Sequence, residues 1–122
     1  MLDTLKTLLA ILMLSAAALA QQGNGPTQHS VTPSWTNTGT ITGNCIYRAQ
    51  TSGGPYGLAI HCSSAPITTW PDTTVLSGQT YFYVVTSYVS GPPFEESLYS
   101  NEIRAVVPQS PQAPSGLTAV AQ

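Results

Sequence analysis

Charge is what this chain has least of. Asp, Glu, Lys and Arg make up 7% of its 122 residues, three Lys plus Arg against five Asp plus Glu. Beyond residue 20 the charged side chains are Arg48, Arg104, Asp72, Glu95, Glu96 and Glu102. Two arginines cannot supply the basic stripe that phosphate backbones demand, so nucleic acid is excluded as a partner. Long apolar runs are missing beyond the N-terminus, which leaves no membrane span in the mature chain. Histidine is scarce too, with His29 and His61 alone. Two histidines and two cysteines fall short of a zinc site once the cysteines pair. No Gly-x-Ser-x-Gly elbow, His-Glu-x-x-His helix, phosphate loop or carboxylate pair flanking a cleft is present. The expectation is therefore no enzyme, with no catalytic, cofactor-binding or metal-binding residues.

What is there begins with an export signal. Residues 1–20 carry one lysine, Lys6, then an apolar run from Leu8 to Leu19 closed by Ala18-Leu19-Ala20. That order is a secretory signal peptide with a small-residue cleavage site; the run is too short for the ~20 residues that span a bilayer. The expected location is secreted or cell envelope, periplasmic or extracellular. Residues 21–28 form a polar segment. The remainder is short enough for one domain of about 100 residues.

Export gives Cys45 and Cys62 a redox meaning, because thiols outside the cytosol are expected to pair. The two are equidistant from Gly53-Gly54, where Ser52, Gly53, Gly54 and Pro55 supply turn chemistry between apolar-alternating runs. A symmetric hairpin places them face to face, and a disulfide closing such a loop contributes about 3 kcal/mol. The competing reading is two separate buried thiols.

Threonine and serine make up about a quarter of residues 21–122, and β-branched stretches punctuated by Gly and Pro read as all-β. Period-two alternation marks six runs. Val31, Pro33 and Trp35 share one face of the first. Asn44, Ile46 and Arg48 share one face of the second, with Cys45 and Tyr47 on the other. Leu58 and Ile60 follow the glycine turn, and residues 67–70 make a fourth run. Tyr81, Tyr83 and Val85 mark a fifth, and Ile103, Ala105 and Val107 a sixth. The 8–12-residue recurrence is that of a β-sandwich.

In that order, Val31-Thr32-Pro33-Ser34-Trp35, Gly43-Asn44-Cys45-Ile46-Tyr47-Arg48 and Thr51-Ser52-Gly53-Gly54-Pro55-Tyr56 resemble strands B and C and the following hairpin of bacterial, secreted-type fibronectin type III domains. Asp72-Thr73-Thr74-Val75, Gly78, Tyr81-Phe82-Tyr83-Val84-Val85 and Tyr99-Ser100-Asn101-Glu102 resemble the E–F corner, strand F and strand G. The resemblance covers residues 29–108 and implies an immunoglobulin-like β-sandwich. It casts Trp35 as the strand B core tryptophan and Tyr81 as the tyrosine corner, whose phenol bonds back to the preceding turn. Trp35, Trp70, Tyr81 and Tyr83 are the expected aromatic core.

Three departures stand out. Asn44 replaces an aromatic, Pro33 replaces a leucine, and residues 21–28 offer no apolar side chains for a strand A, so that strand is weak or missing. Pro33 lacks an N–H, which suggests that strand B is not paired on both sides. Residues 109–122 read as a Pro-rich linker followed by a strand-A-like tail, Gly116-Leu117-Thr118-Ala119-Val120-Ala121-Gln122.

The candidate contact loop is Phe94, Glu95 and Glu96 in the turn between strands F and G; the competing reading is a solvated turn with its aromatic folded back. The expected function is an exported, non-catalytic spacer or interaction element at the cell envelope or outside the cell. Its partner is a protein or a polysaccharide. The alternative is a structural subunit assembling head to tail by donation of its C-terminal strand, which implies weak self-association.

Overall fold

The computed structural model describes residues 28–122, so the expected signal peptide at residues 1–20 and the polar segment at residues 21–27 lie outside the described residues. Five strands form one antiparallel sheet: β1 (Gly43–Ala49), β2 (His61–Cys62), β3 (Thr80–Val89), β4 (Glu95–Glu96) and β5 (Ile103–Val106). The order is β2-β1-β3, with β4 and β5 both on the far edge of β3. A second, thinner layer consists of residues 31–36 and 67–72, joined by the bridges Val31↔Asp72 and Ser34↔Thr69. No helix occurs among the described residues.

The register explains which side chains meet. Pairing of Ile46 with Val85 and Arg48 with Tyr83 puts the face of Asn44, Ile46 and Arg48 toward the second layer, beside Tyr81, Tyr83 and Val85. There Ile46, Val75, Tyr81, Tyr83, Val85 and Val107 are buried together, with Val31, Trp35, Ile60, Ile67, Trp70 and Ala105 half-buried around them. The β-sandwich fold is all-β, as the residue pattern implies.

The Leu76 N–H donates to the Tyr81 phenol oxygen at 3.0 Å, which fastens the turn before β3 to its first inward residue. Gly78 in that turn has φ +74°, a left-handed conformation that favours glycine.

Four expectations change in detail. The run at Leu58 and Ile60 forms no strand; only His61 and Cys62 pair with β1, and Leu58 is 92% exposed. Gly53, Gly54 and Gly57 all have positive φ, and Pro55 brings no N–H, so the chain cannot stay extended before Ile60.

The first and fourth runs form single bridges instead of a ladder. The N–H groups of Val31 and Trp35 and the carbonyl of Pro33 all bond to the 67–72 segment. The missing N–H of Pro33 therefore weakens that inner pairing, and it is not what frees the opposite edge.

Glu95 and Glu96 lie in strand β4 opposite Val89 and Tyr88, not in the turn. Finally, the last edge is split. Between β4 and β5, Ser97 and Ser100 donate their backbone N–H groups to the carbonyls of Ser87 and Val85. Their hydroxyls accept the N–H groups of those same two residues at 2.9 Å, so side chains stand in for a backbone ladder.

Candidate interaction surface

Two polar clusters and one aromatic cluster are built on this sheet. The first polar cluster pins the layers together. Asp72, fully buried, accepts from the Arg48 guanidinium at 2.7 Å, the Tyr83 phenol at 2.8 Å, and the Thr74 N–H and hydroxyl at 3.0 and 2.7 Å. Burial alone would raise its pKa, but the bonds from Thr74, Tyr83 and Arg48 hold it below the ordinary carboxylate range. The same contact, after burial, raises the Tyr83 phenol. Arg48 also lies over the Tyr81 ring, 4.9 Å from its centre.

The second cluster centres on Asn44, fully buried where the resemblance calls for an aromatic. Its amide exchanges bonds with Asn37 (2.8 and 3.3 Å), donates to the Thr86 carbonyl and the Ser87 hydroxyl, and accepts from the Ile67 N–H at 3.1 Å. An asparagine with these partners fills an aromatic's place without leaving a buried donor unpaired.

The outer face of the sheet carries the disulfide and the aromatic cluster. Cys45 stands opposite Cys62 in the β1–β2 register, and the two are joined. His61 points the other way and stacks on the half-buried Trp70, 4.8 Å between ring centres and 6° between planes. Adjacent in sequence, His61 and Cys62 serve opposite faces and form no chemical pair.

Tyr47 on β1, Tyr99 and Tyr56 line up edge to face, with centres 5.2 and 5.1 Å apart and planes at 66° and 70°. Each end is tied to a carboxylate. Tyr47 donates to Glu96, which also accepts from Thr86 at 2.7 Å. Tyr56 donates to Glu102, which also accepts from the Ser52 hydroxyl and the Gly53 N–H, both at 2.7 Å. Burial and then Glu96 push Tyr47 up to about 12; the bond to Glu102 does the same for Tyr56. Bonds from Tyr56, Gly53 and Ser52 hold Glu102 below the usual range. Both phenols therefore remain protonated donors, and Glu102 closes the 52–56 turn onto the chain leading into β5.

Exposed apolar side chains crowd beside this ridge. Phe94 is 61% exposed with its ring 5.7 Å from Tyr88; Leu98 and Tyr99 are 92% and 51% exposed. A cleft of about 280 Å³ opens between Tyr47, Thr86, Glu96, Leu98 and Tyr99. The candidate residues Phe94, Glu95 and Glu96 thus sit at one end of this surface, with Glu96 turned into the ridge. Tyr47, Tyr56, Leu98 and Tyr99 were not singled out as contact residues from sequence. The outward parity of Tyr47 on its strand was the available signal, whereas Tyr56 and Tyr99 lie in irregular backbone.

No family model and no curated protein matches the chain. Among solved structures it is similar to an Fn3-like protein from Clostridium thermocellum, with 26% identity over 72% of this chain and 86% of that one, and a TM-score of 0.57. The sandwich is accordingly fibronectin type III-like in fold.

Proposed function

We propose that this chain is an exported, non-catalytic module, a spacer or interaction element at the cell envelope or outside the cell, that meets its partner through residues 94–99 and the tyrosine ridge. The observation that carries this reading is the contiguous exposure of Phe94, Leu98 and Tyr99 next to Glu95 and Glu96, on and beside the short edge strand β4. Fold likeness to an Fn3-like protein supports a module, and the Cys45–Cys62 cross-link supports an oxidising compartment.

The tyrosine planes meet at steep angles and make a ridge with slots, not a flat platform. That shape favours a protein that inserts side chains over a polysaccharide that stacks sugar faces. Co-sedimentation with envelope preparations, before and after protease digestion, tests the reading. The exported chain is expected to sediment with undigested envelope, and a Phe94→Ser/Leu98→Asp variant to stay in solution. Equal behaviour of the two chains overturns the assignment of this surface. A second reading, a structural subunit assembling head to tail, is favoured by a different observation: the backbone edge at Thr32, Ser34 and Thr36, which meets no backbone partner among the described residues.

A further inference from the structure

The thin layer of the sandwich ends in an edge that the described residues leave open. Val31, Pro33 and Trp35 direct their backbone groups to the 67–72 segment. By alternation the N–H and C=O groups of Thr32, Ser34 and Thr36 face the opposite way, and they meet no backbone partner among the described residues. Beside this edge lies a cleft of about 210 Å³ that reaches between the layers to Tyr83 and Val85 and is bounded on its far side by Ser100 and Ile103. Trp35 lines it. The buried Trp35 Nε1–H is the one buried side-chain polar atom among the described residues without a hydrogen-bond partner, a cost that native structures seldom leave standing. A backbone edge open among the described residues, a cleft of mixed polar and apolar lining and an orphan donor together describe the seat of a missing strand.

The chain also carries an unattached strand-like segment. Residues 116–122 form no strand and are exposed throughout, Leu117 at 97%. Leu117, Ala119 and Ala121 alternate with Thr118 and Val120, so one face of this segment is apolar and can fill a slot while its backbone pairs with an edge.

Laid directly along the edge of its own molecule, the segment does not meet the seat in a useful register. Ser110 is fixed at the end of the sandwich where the edge begins: its N–H donates to the Ser77 hydroxyl at 3.1 Å, and its own hydroxyl lies 3.4 Å from His29 Nε2. From Ser110 to Leu117 is seven residues, at most about 25 Å, and from His29 to Thr36 is seven residues, roughly 23 Å in extended form. A tail running along its own edge arrives at Leu117 where the edge stops. The stretch it lays beside Thr32 and Ser34 contains Pro111 and Pro114, which have no N–H to pair.

We infer that the open edge at Thr32, Ser34 and Thr36 receives residues 116–122 of a second copy of this chain, Leu117 entering the cleft beside Trp35. The interface is heterologous, tail of one molecule to edge of the next. It is carried by the edge, the cleft and the tail, independently of the tyrosine ridge.

Light scattering of the exported chain over a concentration series reaching millimolar, with the Trp35 indole N–H followed by NMR on the same samples, tests this. The expected result is a mass that rises from one chain to at least two, with the Trp35 signal moving in step. Leu117→Asp, at a position exposed in the monomer, is expected to hold the mass at one chain. A synthetic peptide of residues 114–122 added to that variant is expected to move the Trp35 signal again. A single-chain mass at every concentration overturns the inference, as does association that Leu117→Asp leaves intact. A Trp35 signal indifferent to concentration, variant and peptide overturns it too, and identifies residues 21–27 of the same chain as the occupant to examine.

Discussion

The guanidinium of Arg48 on β1 lies 2.7 Å from the fully buried carboxylate of Asp72 in the thin layer, and this ion pair ties the two layers of the sandwich together. Asp72 has Thr74 and Tyr83 as further donors, so its charge is paired and hydrogen-bonded on all sides, the condition under which a buried ion is tolerated.

Asp72→Asn is expected to destabilise the fold by about 3 kcal/mol, since it leaves Arg48 half-buried without its counter-ion. The pH dependence has a definite sign. A carboxyl whose pKa is lowered by folding contributes stability that is complete above the unfolded value of about 4 and is lost as pH falls through the folded value. Thermal midpoints of wild type and variant should therefore differ most at neutral pH and converge as the solution is acidified below about 4. A gap that stays constant to acid pH would refute the role given to the charge.

Tyr81→Phe is expected to cost about 1 kcal/mol or somewhat more, because the Leu76 N–H loses its acceptor. Tyr99→Phe keeps both ring contacts, with Tyr47 and Tyr56, and should fall within about 0.5 kcal/mol of wild type. Denaturant midpoints with unchanged slopes are the measurement; equal losses in the two variants contradict the corner assignment.

Asn44→Leu is expected to be worse than either, at about 2–4 kcal/mol, although leucine suits a core by composition. The Ile67 N–H and the Asn37 side-chain carbonyl lose their partner inside the protein, while the Asn37 NH2 keeps its bond to the Ile67 carbonyl, and a buried unpaired group costs about 1–3 kcal/mol each. Chemical denaturation of the variant, compared with Asn37→Ala, separates the hub from its half-buried neighbour.

Reduction of Cys45–Cys62 is expected to lower stability by about 3 kcal/mol, since the cross-link limits the unfolded chain. The buried cluster of Ile46, Tyr81, Tyr83 and Val85 does not depend on the bond, so near-ultraviolet circular dichroism should keep its native shape in reductant below the new midpoint.

What could be read from residues alone follows from how local each cause is. The β1 and β3 alternation, the cysteine pairing about Gly53-Gly54 and the turn ahead of Tyr81 all rest on short-range periodicity and turn chemistry, and they appear in the structure at those positions. The Asn44 hub was not legible, because its partners Asn37, Ile67 and Thr86 come from three separate segments. The tyrosine ridge escaped for the same reason: Tyr56 and Tyr99 are brought to Tyr47 by Glu102 closing one turn and by serine hydroxyls replacing a ladder at Ser97 and Ser100. Pro33 marks a defect in strand pairing that is legible in sequence, but which edge it weakens is not, since that is set by the bonds of Val31, Trp35 and the Pro33 carbonyl to the 67–72 segment.

Residues 94–99 and the tyrosine ridge are the contact surface proposed for this chain. Amide and aromatic NMR shifts of the chain lacking residues 1–20, titrated with solubilised envelope protein and separately with envelope polysaccharide, test it most directly. Saturable changes confined to Phe94, Glu96, Leu98, Tyr99 and Tyr47 are expected in the protein titration. Changes centred elsewhere on the sandwich, or none with either fraction, would contradict it.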